Sequence, residues 1–295
     1  MNQQLKQTGK MEASIKLIDA SFDKNNLANY HLSIQLHEFS ITVCVTDLKL
    51  NTAVAVWNIN SKYRIFNEND TDELLNNLLK KCTLPLKGDY KKTSVAIANN
   101  QYSFIPNPLF DSSLLAHYVE LNCGPTANSE FKQDEVDHEN LKIVYAIPTS
   151  VIKLLEKTLE SFELTHHQKV FLNAVNSDFK ANDSELYVNY QHKQLTLLYF
   201  NDGKFHHGST HEIGTPEDFL FFVLNTCEQL GLNPQKIKLV LLGEIKTGDE
   251  IHHLAFSYFE KIQFGAVQKK LNTAPALNDV PKHYFYTAYK QYLCE

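Results

Sequence analysis

Histidines and cysteines are the side chains in this sequence whose types first suggest chemistry. His206, His207 and His211 lie close together, and on a strand 207 and 211 share a face. Imidazoles so placed suggest zinc, which needs further convergent ligands; Glu212 points away from His211, so the trio reads as a solvated hairpin and no metal site is expected. His166-His167 and His252-His253 read as helix-surface residues rather than ligands. The five cysteines (Cys44, Cys82, Cys123, Cys227 and Cys294) are odd in number, scattered and never spaced C-x-x-C. That argues against a disulfide framework or a zinc knuckle and fits a reducing compartment. No G-x-S-x-G and no Ser/His/Asp or Cys/His signature occurs, so no catalytic residue is assigned. Cys227 reads as core, as do the adjacent Phe219, Phe221 and Phe222 of the same helix.

Composition narrows the classes. The chain has 295 residues and a formal net charge of −6, with 43% apolar and 21% charged residues, enough to bury a core in two domains. Glycine is scarce at 10 residues, which limits phosphate-cradling loops. No dense Lys/Arg block is present, so neither nucleic acid nor an anionic membrane is an expected partner. No apolar run is long enough to span a bilayer, and Met1 to Lys10 is polar, so a cytoplasmic location is expected.

The elements that position these residues follow from hydrophobic period. Leu32, Ile34 and Leu36 alternate with Ser33, Gln35 and His37, predicting a strand with one buried face. After a tight His37-Glu38 connection, Phe39, Ile41, Val43 and Val45 alternate again, giving a hairpin; Ala53 to Ile59 supplies a third strand. Asp70-Thr71-Asp72-Glu73 caps a helix over about 70–82. A strand near Ser94–Ala98, a helix near Ser112–Leu121, a strand at Leu141–Ile147 and a helix carrying Ile152, Leu155, Leu159 and Phe162 follow, with 122–140 a polar surface excursion.

From about residue 185 the pattern restarts. Leu186 and Val188, a turn at Tyr190-Gln191-His192-Lys193, then Leu195, Leu197 and Tyr199 form one hairpin; Asn201-Asp202-Gly203 turns into a strand over 204–213. Thr215-Pro216-Glu217-Asp218 opens a helix that Gly231 closes. Ile237 to Gly243 reads as a buried parallel strand, 249–259 as a helix and 262–267 as a strand. A last helix over about 283–293 aligns Phe285, Tyr289 and Tyr292. The order of three antiparallel strands, helix, strand, helix, strand occurs in 30–165 and again in 185–267, which predicts an N-terminal extension over 1–29, a first domain over 30–180 and a second over 181–295.

This order resembles the actin-like ATPase architecture, two ribonuclease-H-like domains facing a nucleotide cleft, and the chain resembles more closely a family of uncharacterised bacterial proteins with that fold. The resemblance is carried by the 32–36 strand, Val144-Tyr145-Ala146-Ile147-Pro148, Phe200-Asn201-Asp202-Gly203-Lys204, Pro216-Glu217-Asp218-Phe219 and Leu239 through Glu244. It implies an α/β fold of two mixed sheets flanked by helices.

The resemblance also implies where a nucleotide would sit. Actin-like ATPases grip phosphates in two hairpin turns with glycines and a magnesium-bound aspartate. The equivalent turns here, His37-Glu38 and Gln191-His192-Lys193, have neither. The glycine-rich adenosine turn is matched in part by Gly243-Glu244 through Gly248, where a strand-to-helix turn needs glycine anyway. The strand positions Ser33, Gln35, Ser40 and Thr42 lack the carboxylates of a two-metal nuclease. No cofactor is expected, ATP being a doubtful one, although Lys193 and Glu38 could contact a nucleotide. The expected function is a catalytically degenerate actin-like module that binds a protein or small ligand through its interdomain cleft. The rival is an ATPase or phosphotransferase with atypical phosphate loops, and a third reading has the cleft filled by side chains.

Overall fold

Period-two alternation builds most of this molecule. In a computed structural model describing residues 15–66, 71–178, 184–265 and 271–294, the chain opens with β1 (Ile15–Ile18), β2 (Tyr30–His37), β3 (Ser40–Asp47) and β4 (Thr52–Asn60). Helix α1 (Thr71–Leu79) leads to β5 (Lys92–Ala98), β6 (Tyr102–Pro106), α2 (Leu115–Cys123), β7 (Ser129–Val136) and β8 (Leu141–Pro148). Then come α3 (Thr149–Thr158), β9 (Glu163–His166), α4 (His167–Asp178), β10 (Ser184–Gln191), β11 (Gln194–Asn201) and β12 (Lys204–Glu212). The chain closes with α5 (Pro216–Gln229), β13 (Lys238–Gly243), α6 (Glu250–Tyr258), β14 (Lys261–Phe264), β15 (Asn272–Thr273) and α7 (Tyr286–Lys290).

Two large sheets share one plan. The order β4-β3-β2-β5-β9 in the first is matched by β12-β11-β10-β13-β14 in the second. In each, three antiparallel strands are followed by two that join parallel to the first. This is a duplicated ribonuclease-H-like unit, the fold class expected from element order. β1 and β15 extend the first sheet along β4.

Local signals hold where they are strong. Thr215 Oγ1 accepts from the Asp218 N–H at 3.2 Å and Asp218 accepts from the Thr215 N–H at 3.0 Å, a complete capping box. Gly231 ends that helix at φ +66, and Asp202-Gly203 turns with both φ positive. The helix signature at residue 70, the 179–183 boundary and residues 266–267 of the last expected strand lie outside the described residues.

Tertiary context overrules the sequence pattern elsewhere. The strand at 141–147 does not join the first large sheet; it pairs with β6 and with β7 in a separate three-stranded sheet, and β9 takes the fifth place. β7 itself lies in the expected surface excursion. Its sequence, Ser-Glu-Phe-Lys-Gln-Asp-Glu-Val, has too few apolar residues to announce a strand, and cross-strand pairing with β8 supplies what propensity lacks. Helix α3 ends at Thr158, before Leu159 and Phe162. On β2 both faces are buried, not one. The polar face lies under α4, the C-terminal helix α7, whose Thr287 reaches Gln35 at 3.1 Å, and the turn after it, whose Gln291 Nε2 reaches Ser94 Oγ at 2.8 Å.

One apolar cluster runs from β2, β3 and β4 through Phe285 and Tyr289 to Leu198, Phe200, Val240 and Leu242 of the second sheet. A second cluster packs the other face of that sheet against α5 and α6. The C-terminal helix is therefore wrapped by core, and Lys290, fully buried, pairs with Asp178 and donates to Ser177 Oγ at 2.9 Å. Phe219 and Cys227 are buried as expected, but Phe221 is 61% exposed because it falls on the outer side of α5. Cys44 is buried as well, whereas Cys123 is exposed, and all five thiols are free.

Candidate functional site

The shared strand plan places the sharp turn of each sheet at the same end, and the fold presses the two turns together. His37 Nδ1 lies 3.1 Å from Gln194 Oε1, and Gln194 Nε2 donates to the Ala98 carbonyl at 2.7 Å. Lys193 Nζ sits 5.4 Å from the centroid of the Phe39 ring, and the guanidinium of Arg64, the chain's one arginine, sits 5.3 Å from the same ring. Two cations, one from each unit, thus share one aromatic ring. Arg64 also pairs with Glu38 at 3.4 Å and with Glu212 of the second unit, a use of its planar fork that lysine would not reproduce.

His37 and Glu38 are both buried. Burial drives the Glu38 carboxyl up to about 7 against the opposing pull of Arg64. Burial holds His37 down at about 4, although its bond to Gln194 acts the other way. In the facing turn, His192 and Lys193 take left-handed conformations, φ +27 and +64. Such φ values are uncommon for residues with a Cβ, and the Ile213 N–H bonded to the Lys193 carbonyl at 2.8 Å helps to fix them. Gln191 is buried on the last residue pair of the β10–β11 ladder, opposite Gln194.

The inner end of the seam is a buried polar network. Gln35 Oε1 lies 3.4 Å from His37 Nε2 and accepts from Thr287 Oγ1 at 3.1 Å; Thr287 in turn meets His167 Nε2 at 3.2 Å. His37 and His167 pack edge to face at 5.1 Å. Gln168 Nε2 donates to the Tyr102 hydroxyl at 2.7 Å and to Thr210 of β12 at 2.9 Å. His166 and His167, expected on a helix surface, are buried here because the β9–α4 junction points into the seam. Burial depresses both: His166 to about 3, and His167 well below its ordinary value, with His37 and His166 contributing.

The third turn is occupied in a different way. Gly243 has φ +78, and a Cβ there would overlap the backbone of Tyr190, so the glycine serves close strand packing. Its N–H donates to the His283 carbonyl at 2.8 Å, and the Glu244 N–H to the Tyr190 carbonyl at 2.7 Å. His283 Nε2 lies 2.8 Å from the Ile245 carbonyl, and its ring stacks on Phe264 at 4.5 Å. Gly248 stands apart, exposed beside the N-cap Asp249. The fold therefore brings His37, Glu38 and Lys193 to the contact between the turns, keeps Gln191 and His192 in the facing turn, and sets Gly243 and Glu244 against the adjoining strand end. It leaves Gly248 outside.

Sequence reasoning missed Arg64, Phe39, Gln194 and Thr287. Arg64 carried one available signal, being the single arginine among many lysines. Farther along, His211 stacks on Phe222 at 4.1 Å and meets Ser209 Oγ at 3.0 Å, while Glu212 is turned to Arg64. Among the described residues no group of three or more His, Cys, Asp or Glu is placed to hold a metal, and no helix is long and apolar enough to cross a membrane.

Residues 19–262 match the sequence profile of DUF3822, a protein of unknown function. No curated protein matches the chain. Among solved structures, a Bacteroides thetaiotaomicron VPI-5482 protein with an actin-like ATPase fold and unknown function is 15% identical, covers 83% of this chain and 93% of its own, and superposes with a TM-score of 0.72. A chain of the PilM-PilN type IV pilus biogenesis complex is 8% identical over 90% of this chain and 98% of its own, with a TM-score of 0.60. At these identities the likeness is one of fold.

Proposed function

The chain belongs to DUF3822, a family of proteins of unknown function with an actin-like ATPase fold in this member, and from that premise we propose that it is a binding and scaffolding module for another protein, without ATP turnover. The observation that carries this reading is the direct contact between the two turns that face a nucleotide in actin-like ATPases. Phosphates placed between them would have to part the His37–Gln194 bond, lift Lys193 and Arg64 from Phe39, and open the Arg64 bridge. Each of those contacts is worth about 1 kcal/mol, so separation costs several together. The adenosine turn has its glycine pressed on Tyr190 and its inner side covered by His283.

The filled seam favours a binding surface elsewhere on the molecule over one inside the cleft. A fold neighbour solved in a complex of PilM with PilN lends support to a protein as the kind of ligand such a fold holds. A formal charge of −6 speaks against nucleic acid. No cofactor is assigned to the seam. Calorimetric titration of the full chain with Mg-ATP tests the reading: no heat of binding is expected up to about 1 mM nucleotide. Micromolar binding with steady phosphate release would replace this proposal with the ATPase or phosphotransferase reading.

A further inference from the structure

Outside the seam, an open groove of about 470 Å³ lies between the three-stranded sheet and the first large sheet, within the usual range for a ligand site. Its position is decided by β7. Phe131 and Lys132 are neighbours on that strand, so their side chains leave from opposite faces, yet both line the groove together with Gln133. A cavity touched from both faces of a strand runs along its edge. In the sheet order β6-β8-β7 that edge pairs with no other strand among the described residues.

The opposite wall is made by Leu164 of β9, itself the last strand of its sheet, and by Ile152 and Glu156 of α3. The groove is closed at one end, where Asp134 of β7 accepts from the His166 N–H at 2.6 Å and from Thr165 Oγ1 at 2.8 Å. Residues 129–133 therefore form a strand edge about 13 Å long at 3.3 Å per residue, recessed where 131–133 line the groove. Unpaired edges are usually blunted by charge. Here Lys132 is held by Glu130 of the same strand at 2.9 Å, and the lining contributes only Lys132 and Glu156. With Lys132 paired inside β7, the rest of the lining is Leu115, Phe131, Tyr145, Ile152, Phe162 and Leu164 with two neutral polar residues and one carboxylate, so its complement is largely apolar.

We infer that this edge takes an extended, uncharged and largely apolar segment of a partner protein, which joins the three-stranded sheet beside β7 as a fourth strand. Main-chain hydrogen bonds to 129–133 would hold it, and alternate side chains would enter the apolar pocket under Leu115, Phe131 and Leu164. The inference rests on the binding-module reading and supplies the chemistry of its partner.

The test pans the full chain against displayed random linear peptides. The enriched sequence is then synthesised unmodified and N-methylated at alternate residues. Expected are uncharged, apolar-rich binders, slowed hydrogen exchange at 129–133, and affinity at least about tenfold lower for one N-methylated register. Leu115→Trp should fill the groove and abolish binding, while Leu121→Ser, at a side chain 76% exposed, should not. If Leu115→Trp fails to fold, the N-methylated pair and the exchange pattern decide alone. Absence of enrichment, binders indifferent to N-methylation, strongly charged binders, or protection elsewhere would each overturn the inference. So would self-association of the chain that protects the same amides, because the occupant would then be a second copy. None of these results alters the Mg-ATP titration, and nucleotide binding would sink the function reading without moving exchange at β7.

Discussion

Replacing Glu38 with glutamine isolates the energetics of the seam. Glu38 holds its proton up to about pH 7 in the folded chain, against an ordinary value of 4.5. Between those values the folded state carries more protons than the unfolded one, so this group lowers stability as pH rises through the window. The difference of about 2.5 pH units corresponds to about 3 kcal/mol once the carboxylate is fully ionised above pH 8. Glutamine mimics the protonated form and does not titrate. Glu38→Gln should therefore match the wild type near pH 4.5 and exceed it by up to about 3 kcal/mol at pH 8.5, or about 1 M in urea midpoint. The buried histidines push the other way, but they are common to both proteins and drop out of the difference. Paired urea unfolding curves at the two pH values are the assay. Parallel pH profiles, or a variant weaker at pH 8.5, would refute a desolvated Glu38 and with it the tight contact between the turns.

Other outcomes follow from named contacts. Gly243→Ala forces a Cβ into the Tyr190 backbone at φ +78 and should cost at least about 3 kcal/mol in urea unfolding; a fully stable variant would deny the close strand approach. Lys290→Met leaves Asp178 buried beside Tyr286 without its cation and should cost about 3–5 kcal/mol, most of it recovered in the Asp178→Asn double variant. Acid should weaken the protein: His31 and His166 are held near 3 and His37 near 4 by burial, so below pH 6.5 the unfolded chain takes up protons that the folded chain refuses. His37→Asn should flatten that pH dependence by about one proton between pH 6.5 and 4, read from unfolding midpoints. Phe221→Ser, at a largely exposed side chain, should change stability by less than about 0.5 kcal/mol.

What the sequence discloses, and what it hides, follows from how local each signal is. The Thr215 capping box, the Asp202-Gly203 turn and the β13 apolar run depend on a few neighbours, and each was readable from residue types. The duplicated strand order was legible because both copies keep the same alternation. β7 was not, since its register is set by β8, and neither was the placement of β8 outside the large sheet. Alternation on β2 distinguished two faces but not their fates. Ser33, Gln35 and His37 have the pattern of a solvated face, and they lie under a helix that arrives some 250 residues later in the chain.

That late arrival explains why the turns could be found while their use could not. His37, Glu38, His192 and Lys193 were picked out as the places where phosphate chemistry would have to happen, on the ground that glycine and aspartate are missing there. Two turns without glycine are compatible with an open, empty cleft and equally with a closed one. What closes it is Arg64, which pairs with Glu38 of its own unit and reaches Glu212 across the seam, and the 283–291 segment, bonded to Gly243 at one end and to Ser94 at the other. A segment bonded to both units resists their separation: Thr287, Lys290 and Gln291 anchor it to the first unit, and opening would break the bonds of His283 to Gly243 and Ile245 of the second. Movement of the two sheets about the seam is thereby opposed by the 283–291 segment. On the reading proposed, a partner is taken at the recessed edge of β7 rather than between the two sheets.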